Sequence, residues 1–227
     1  MRLATLVSGG KDSIYATFLA KKQGNEIKYI LAIKSENPES YMFHYPNIKL
    51  VEIQAKLMQI PLITKITTGV KEEELKDLSI ALSRLVNDID GVVSGAVASN
   101  YQKTRIENIC NNLNLKSVTP MWDMDPYISV KSMLDYGFEI IISAVGAPPL
   151  DENWLGRTID YDCLNELVEL NKEHGIHING EGGEYESFVT NCPMFNNKIR
   201  ISDSEKVWDN KTNSGMLNIK KVDLIKK

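Results

Sequence analysis

Apolar residues follow a repeating pattern along the N-terminal half of the chain. Short apolar runs, typical of buried strands, alternate with segments in which apolar residues recur every three or four positions, as on one face of a helix. The runs predict strands at 3–7, 29–33, 61–66 and 91–94, and the periodic segments predict helices after residue 12 and at 47–59, 72–86 and 99–113. This alternation indicates parallel βαβ units, so we predict an α/β fold with a Rossmann-like doubly wound parallel sheet.

The pattern changes after Pro120, where we place a domain boundary between 1–120 and 121–227. The later segment predicts a smaller α+β domain, because its elements no longer alternate regularly. Its predicted elements are helices at 129–136 and 161–174, a strand at 139–144, a loop rich in glycine and glutamate at 181–187, and a hairpin of strands at 199–207 and 216–225.

Ligands of doubly wound sheets bind beyond the carboxyl ends of the strands, where the winding direction reverses. We expect that point between the first and fourth strands. A glycine-rich loop follows the first strand, and Ser94-Gly95-Ala96 follows the fourth.

Composition and charge narrow the class of protein. The net charge of −4 gives no support to a large nucleic-acid-binding surface. The three cysteines are widely spaced, which fits a reducing cytosol and argues against a zinc ribbon. Lys11 and Asp12 interrupt the N-terminal apolar stretch, and the uncharged run at 140–150 is too short to cross a bilayer. We therefore expect a soluble cytoplasmic protein without a membrane partner.

A candidate phosphate-binding loop follows the first strand, with the sequence Ser8-Gly9-Gly10-Lys11-Asp12-Ser13. Its glycines let phosphate oxygens approach backbone N–H groups, and the helix that follows adds the positive end of its dipole. The serines supply hydroxyl groups and Lys11 supplies a positive charge. Asp12 is a candidate ligand of Mg²⁺, and Asp12 or Ser13 is a candidate helix cap. An ordinary strand-to-helix turn is the alternative interpretation.

The loop is not a Walker A motif, because the chain contains no GxxxxGK[ST] segment. It resembles the SGGxDS pyrophosphate loop of the N-type ATP pyrophosphatases. That resemblance implies that ATP is cut to AMP and pyrophosphate, with the pyrophosphate held by the loop.

Further segments resemble one family within that group, the diphthine–ammonia ligases in their short archaeal-type form. The resemblance extends from residue 1 to about 195. The segments that carry it, besides the loop, are Ser40-Tyr41-Met42-Phe43-His44, Gly95-Ala96-Val97-Ala98-Ser99, Pro120-Met121-Trp122, Trp154-Leu155-Gly156-Arg157 and Glu181-Gly182-Gly183-Glu184-Tyr185-Glu186-Ser187.

The resemblance implies a HUP-type, adenine nucleotide alpha hydrolase-like fold, with an ATP-binding PP-loop domain followed by a substrate-binding domain. It implies that ATP and ammonium convert diphthine, a modified histidine on elongation factor 2, to diphthamide through an acyl-adenylate. ATP would be a substrate, accompanied by Mg²⁺. The sequence contains no glutaminase-like portion, so free ammonium is the expected nitrogen source. A homodimer is left open.

Three carboxylates, Glu181, Glu184 and Glu186, fall within six residues and join Lys11 as candidate catalytic groups. Such a cluster could bind Mg²⁺, attract ammonium or take a proton from it, or meet the trimethylammonium group of diphthine. A solvated acidic loop is the alternative.

Other candidate nucleotide contacts are Gly95, Gln102, Arg105 and His44. Gln102 and Arg105 are three positions apart and share a helix face, where Arg105 is either a phosphate contact or a surface residue. His44 is equally compatible with an adenine or substrate contact and with packing. Cys110 is expected in the core.

Two other functions are compatible with the phosphate loop. A tRNA-modifying ATP pyrophosphatase would adenylate a base carbonyl, but the acidic balance and the missing cysteine pair count against its sulfur-transfer forms. A non-catalytic ATP-binding module would have no obvious use for three neighbouring glutamates.

Overall fold

The computed structural model describes residues 1–35, 47–70 and 73–227. The chain divides into two compact units, Met1–Trp122 and Asp123–Lys227, and each is described by itself.

The described part of the first unit contains a parallel sheet of five strands in the order β3-β2-β1-β4-β5. The winding direction therefore reverses between β1 and β4, as predicted, and the doubly wound α/β fold is confirmed. The strands are β1 (Arg2–Leu6), β2 (Glu26–Ser35), β3 (Leu62–Thr67), β4 (Gly91–Val93) and β5 (Lys116–Val118). The sequence pattern did not predict β5, because Lys116-Ser117-Val118 contains a single apolar residue and no apolar run.

Four α-helices connect these strands within the described ranges. They are α1 (Lys11–Lys22), α2 (Val51–Met58), α3 (Glu73–Ser83) and α4 (Asn100–Asn112). A short 3₁₀ helix, Ile48–Leu50, leads into α2. The predicted helix positions are confirmed, with ends that differ by a few residues.

The predicted cap of α1 is wrong. The N-cap is Gly10 in an extended conformation, and it makes no side-chain capping bond. Asp12 and Ser13 lie inside the first turn, and the Ser13 hydroxyl donates to the Gly10 carbonyl instead. Phe18 and Leu19 of this helix are only partly buried. The helix therefore begins immediately after Gly10, so its first turn is also part of the loop.

A hydrophobic cluster lies where α3 and α4 pack on the sheet. Leu78 and Leu82 of α3 meet Ile106 and Cys110 of α4 there, together with strand residues such as Val92. Cys110 is fully buried, which confirms its predicted place in the core. Burial raises the pKa of its thiol to about 11, so it stays protonated and unreactive at neutral pH.

The described second unit contains an antiparallel sheet of four strands in the order β7-β6-β9-β8. Its elements are α5 (Pro126–Asp135), β6 (Glu139–Val145), α6 (Tyr161–His174), β7 (Tyr185–Asn191), β8 (Lys198–Asp209) and β9 (Ser214–Ile225). The hairpin of β8 and β9 is confirmed, as is the smaller α+β unit. The predicted loop at 181–187 is too long, because residues from Tyr185 onwards pair with β6.

No helix in the described part of the chain is both long enough and apolar enough to cross a membrane.

We expect Leu82→Ala to lower the free energy of unfolding by about 2–5 kcal/mol, because Leu82 is fully buried and its truncation leaves a cavity. Ile80→Ala is the matched control on the same helix, since Ile80 is 48% exposed, and it should cost less than about 1 kcal/mol. Urea unfolding followed by circular dichroism measures both. Equal losses would contradict the assignment of this core.

Candidate functional site

The phosphate loop joins β1 to α1 and lies against the segment that follows β4. The contact is made at Gly95, where an added Cβ would lie 2.8 Å from both the Asp12 carbonyl carbon and the Ser13 backbone nitrogen. Only a residue without a side chain allows this approach. Gly95 thus brings the segment after β4 against the first turn of α1, at the point where the sheet reverses its winding.

Serine hydroxyl groups hold the loop in shape from within. The Ser8 N–H donates to Ser13 Oγ over 3.2 Å, and the two hydroxyl oxygens are also 3.2 Å apart. Ser13 Oγ in turn donates to the Gly10 carbonyl over 3.0 Å. The two ends of the loop are therefore linked across the glycine pair.

Two buried threonines connect this loop to the sheet. Thr17 Oγ1 donates to the Ser13 carbonyl over 2.7 Å and lies 2.6 Å from Thr5 Oγ1 of β1. A hydroxyl group has one proton, so Thr5 is the donor in the contact between the threonines. Both side chains are fully buried, where a satisfied hydrogen bond is shielded from water.

Gln54 of α2 holds the loop from the other side. Its Nε2 donates to the Gly9 carbonyl over 3.1 Å, and its side chain is fully buried. Gly9 has a φ of +91°, and an added Cβ there would lie 3.0 Å from Gln54 Oε1. Glycine at position 9 therefore satisfies two demands, the left-handed backbone and the close approach of the amide.

Lys11 and Asp12 form an ion pair at the beginning of α1. Lys11 Nζ lies 2.8 Å from Asp12 Oδ2, and the lysine side chain is only 3% exposed. Lysine is rarely buried to this extent unless it is paired. The pair places one positive and one negative group beside the loop backbone, where a phosphate and a cation would each find an opposite charge.

The α4 candidates lie on the other side of the switch point. Ser99 caps α4 by accepting from the backbone N–H of Gln102 over 3.3 Å. The Arg105 guanidinium stacks on the Tyr101 ring, 3.4 Å from its centroid. This cation–π contact orients the guanidinium along the helix. The proposed phosphate contact of Arg105 stays a prediction, as does the role of Gln102.

His44, the remaining candidate nucleotide contact, lies outside the described residues.

The three glutamates of the second unit occupy different environments. Glu184 is buried and its Oε1 accepts from the His177 backbone N–H over 2.7 Å. Glu181 and Glu186 are partly exposed, and Glu186 belongs to β7. The described residues contain no group of three or more His, Cys, Asp or Glu side chains arranged to hold a metal ion. The idea that all three carboxylates together bind Mg²⁺ therefore finds no support.

Sequence reasoning missed Gln54, Thr5 and Thr17 as residues that position the loop. A signal for Gln54 was available in its spacing from Val51, Ala55 and Met58, which places an amide on the buried stripe of α2. A polar residue on such a stripe needs a buried partner. Its partner, Gly9, is 45 positions away and could not be identified without the fold.

Comparison with known proteins finds similar sequences for both units of the chain. The family described as diphthamide synthase N-terminal domain matches residues 1–117, and the diphthamide synthase C-terminal domain matches residues 125–225. Proteins named diphthine–ammonia ligase are similar over 91% of this chain and 85% of their own length, with 33% identity in Rattus norvegicus and 32% in Homo sapiens.

A solved structure titled as a predicted subunit of tRNA methyltransferase from Methanocaldococcus jannaschii is also similar. The TM-score is 0.46 and the identity 18%, over 85% of this chain and 98% of that one. No conclusion about function follows from a likeness at this level.

We expect Gln54→Leu to reduce kcat/KM for ATP roughly tenfold, equivalent to about 1.4 kcal/mol, because the buried Gly9 carbonyl loses its donor. Lys56→Ala, on the exposed face of the same helix, is the control and should leave the rate unchanged. Release of AMP at varied ATP concentrations measures the effect. A Gln54→Leu variant with the wild-type rate would contradict the role of this amide.

We expect Gly95→Ala to lower AMP release at least tenfold, because its Cβ displaces the backbone of Asp12 and Ser13. Gly24→Ala is the control for glycine replacement in the same unit. Gly24 is exposed with a φ of +84°, and an added Cβ meets no described atom within 4 Å. Melting temperatures of both variants separate loss of fold from loss of turnover. If both variants fold and release AMP at the same rate, the assignment of Gly95 to the site is contradicted.

Proposed function

We propose that this chain, which belongs to the diphthine–ammonia ligase family, is an ATP-dependent ligase that converts diphthine on elongation factor 2 to diphthamide. The nitrogen comes from ammonium, and the reaction takes place in the cytoplasm. The observation that carries the proposal is the 8–13 loop, held in shape by its own serines at the start of α1.

Adenylation explains why this ligase requires ATP. A carboxylate is a poor electrophile for ammonia, because its negative charge repels the nucleophile and oxide is a poor leaving group. One carboxylate oxygen of diphthine attacks the α-phosphorus of ATP, the bond to the bridging oxygen breaks, and pyrophosphate leaves. Ammonia then attacks the acyl carbon, the bond from that carbon to the AMP oxygen breaks, and the nitrogen loses a proton as the amide forms.

The loop is suited to hold the departing pyrophosphate. The α1 N-terminus contributes the positive end of the helix dipole, and Gly9 and Gly10 let phosphate oxygens approach the backbone. Ser8 and Ser13 contribute hydroxyl groups. The Lys11 ammonium, buried beside the loop, neutralises charge as it develops on the leaving group.

Asp12 is the residue that we assign to Mg²⁺. Its carboxylate lies beside the loop, and Mg²⁺ usually combines one or two carboxylates with substrate phosphates. The ion would reduce the negative charge on the phosphates when it is bound. A phosphate that takes over Lys11 would leave the Asp12 carboxylate available for the ion.

The remaining nucleotide contacts are assigned to Gly95, Gln102 and Arg105, with His44 on the segment after β2. The contact of Gly95 with the first turn of α1 supports this assignment. We assign recognition of the protein substrate to the second unit, where Glu181 and Glu186 carry accessible carboxylates that attract ammonium or the trimethylammonium group of diphthine.

The assay combines the full chain with ATP, ammonium and elongation factor 2 that carries diphthine. We expect AMP in equal amount to the modified factor, whose mass decreases by about 1 Da as a hydroxyl group is replaced by an amino group. Transfer RNA replaces the factor in a parallel reaction. AMP formed with transfer RNA and not with the factor would contradict the ligase, and AMP formed with neither would favour a nucleotide-binding module.

We expect Lys11→Ala to reduce AMP formation at least a hundredfold, because no other charge of the loop can replace the buried ammonium. Lys21→Ala, an exposed lysine in the last turn of the same helix, is the control and should keep full activity. Lys11→Met preserves most of the aliphatic stem and shows whether the charge or the packing matters. Wild-type turnover in Lys11→Met would contradict the assignment of Lys11 to the leaving group.

A further inference from the structure

Glu184 differs from its two acidic neighbours in burial. It is 9% exposed, and its Oε1 accepts from the His177 backbone N–H over 2.7 Å. Its Oε2 atom is also buried and makes no hydrogen bond with any described residue. A general base or a ligand of a substrate cation must reach that substrate. In Glu184 one carboxylate oxygen already accepts from a backbone N–H and the other is buried from solvent.

Gly182, two positions before Glu184, makes room for this arrangement. An added Cβ on Gly182 would lie 2.5 Å from Glu184 Oε1 and 2.9 Å from its Cδ. The glutamate therefore folds back over its own loop, against the Cα of Gly182. This contact explains the glycine at position 182.

The backbone on both sides of Glu184 is fixed to the end of β6. The Gly146 N–H donates to the Glu184 carbonyl over 2.9 Å. An added Cβ on Gly146 would lie 2.3 Å from the Gly183 carbonyl oxygen. The loop therefore packs directly on the β6 backbone, where only glycine is accommodated.

Tyr185 closes the other end of the same loop. Its hydroxyl group donates to the Ile178 carbonyl over 2.8 Å. An added Cβ on Gly180 would lie 2.8 Å from the Tyr185 carbonyl oxygen and 3.1 Å from its ring. Residues 177–185 thus form a compact loop, with the Glu184 carboxyl group bound to its first residue.

We propose that Glu184 is a positioning residue that holds this loop together, and that Glu181 and Glu186 perform the charge-dependent functions of the motif. Glu184 acts by accepting from the His177 N–H, a role that needs an oxygen acceptor and not a charge. The activity measurements that test this proposal rest on the proposed function. The hydrogen-exchange measurements do not, because they report on the loop whatever reaction the chain catalyses.

The first test compares Glu184→Gln with Glu184→Ala in the full chain. Glutamine keeps an oxygen acceptor for the His177 N–H, whereas alanine removes it. We expect hydrogen exchange of the His177 amide to accelerate at least tenfold in Glu184→Ala and less than threefold in Glu184→Gln. We expect kcat to follow the same order, with Glu184→Gln within about threefold of the wild type and an unchanged pH profile.

The matched comparison is the same neutral replacement at the other two positions. We expect Glu181→Gln or Glu186→Gln to reduce kcat/KM for the diphthine-bearing factor at least tenfold, while protection of the His177 amide stays at the wild-type level. The proposal would be overturned if Glu184→Gln lost as much activity as Glu184→Ala while its His177 amide stayed protected. In that case only the charge has been removed, and the loss of activity must come from the charge.

A double-mutant cycle tests the contact with Gly182. The added methyl group of Gly182→Ala pushes the Glu184 carboxyl group from its place, so we expect accelerated exchange at His177 in the single variant. In the Glu184→Ala background the same replacement meets no carboxyl group and should have less than a threefold further effect. Additive effects, or unchanged His177 exchange in Glu184→Ala, would overturn the proposal. A wild-type protein that forms no AMP would refute the ligase function and leave these exchange results to decide the role of Glu184.

Discussion

The phosphate loop depends on a chain of buried hydroxyl groups that fixes the first turn of α1 to β1. Thr5 binds Thr17, Thr17 binds the Ser13 carbonyl, and the Ser13 hydroxyl binds the Gly10 carbonyl. Each bond is modest by itself, but a chain of satisfied groups away from water permits one arrangement and penalises the others. Without it, the glycine pair would sample many conformations, and ordering its backbone N–H groups around a ligand would cost conformational entropy.

Both candidate loops contain buried polar side chains that bind the loop backbone, and charged side chains beside them. Gln54 and Glu184 are fully or almost fully buried and bind backbone groups of a loop. Lys11 and Asp12 keep their charges beside the loop backbone, and Glu181 and Glu186 stay accessible. The glycines between them allow the close contacts. Within the Glu-rich loop, burial thus distinguishes Glu184 from Glu181 and Glu186.

Much of the candidate site could be predicted before the fold was known. The 8–13 loop, the switch point and the family membership are local or cumulative signals, and the last two are confirmed. The cap of α1 was wrong because Asp12 and Ser13 satisfy the usual preferences for that position, yet Gly10 and the turn of the loop start the helix earlier. The different burial of the three glutamates could not be predicted, since their spacing is the same whether they face solvent or the loop interior.

The sequence by itself determined most of the alternating strands and helices of the first unit, the position of the glycine-rich loop and the family, because periodicity and motifs are properties of neighbouring residues. Only the tertiary structure decided which polar groups meet. Gln54 donates to the Gly9 carbonyl, which is 45 positions away in the sequence. Gly146, which follows β6, packs against the carbonyl oxygen of Gly183. Such partners are set by the packing of whole elements. A buried hydrogen bond therefore becomes visible only when the fold brings its two ends together.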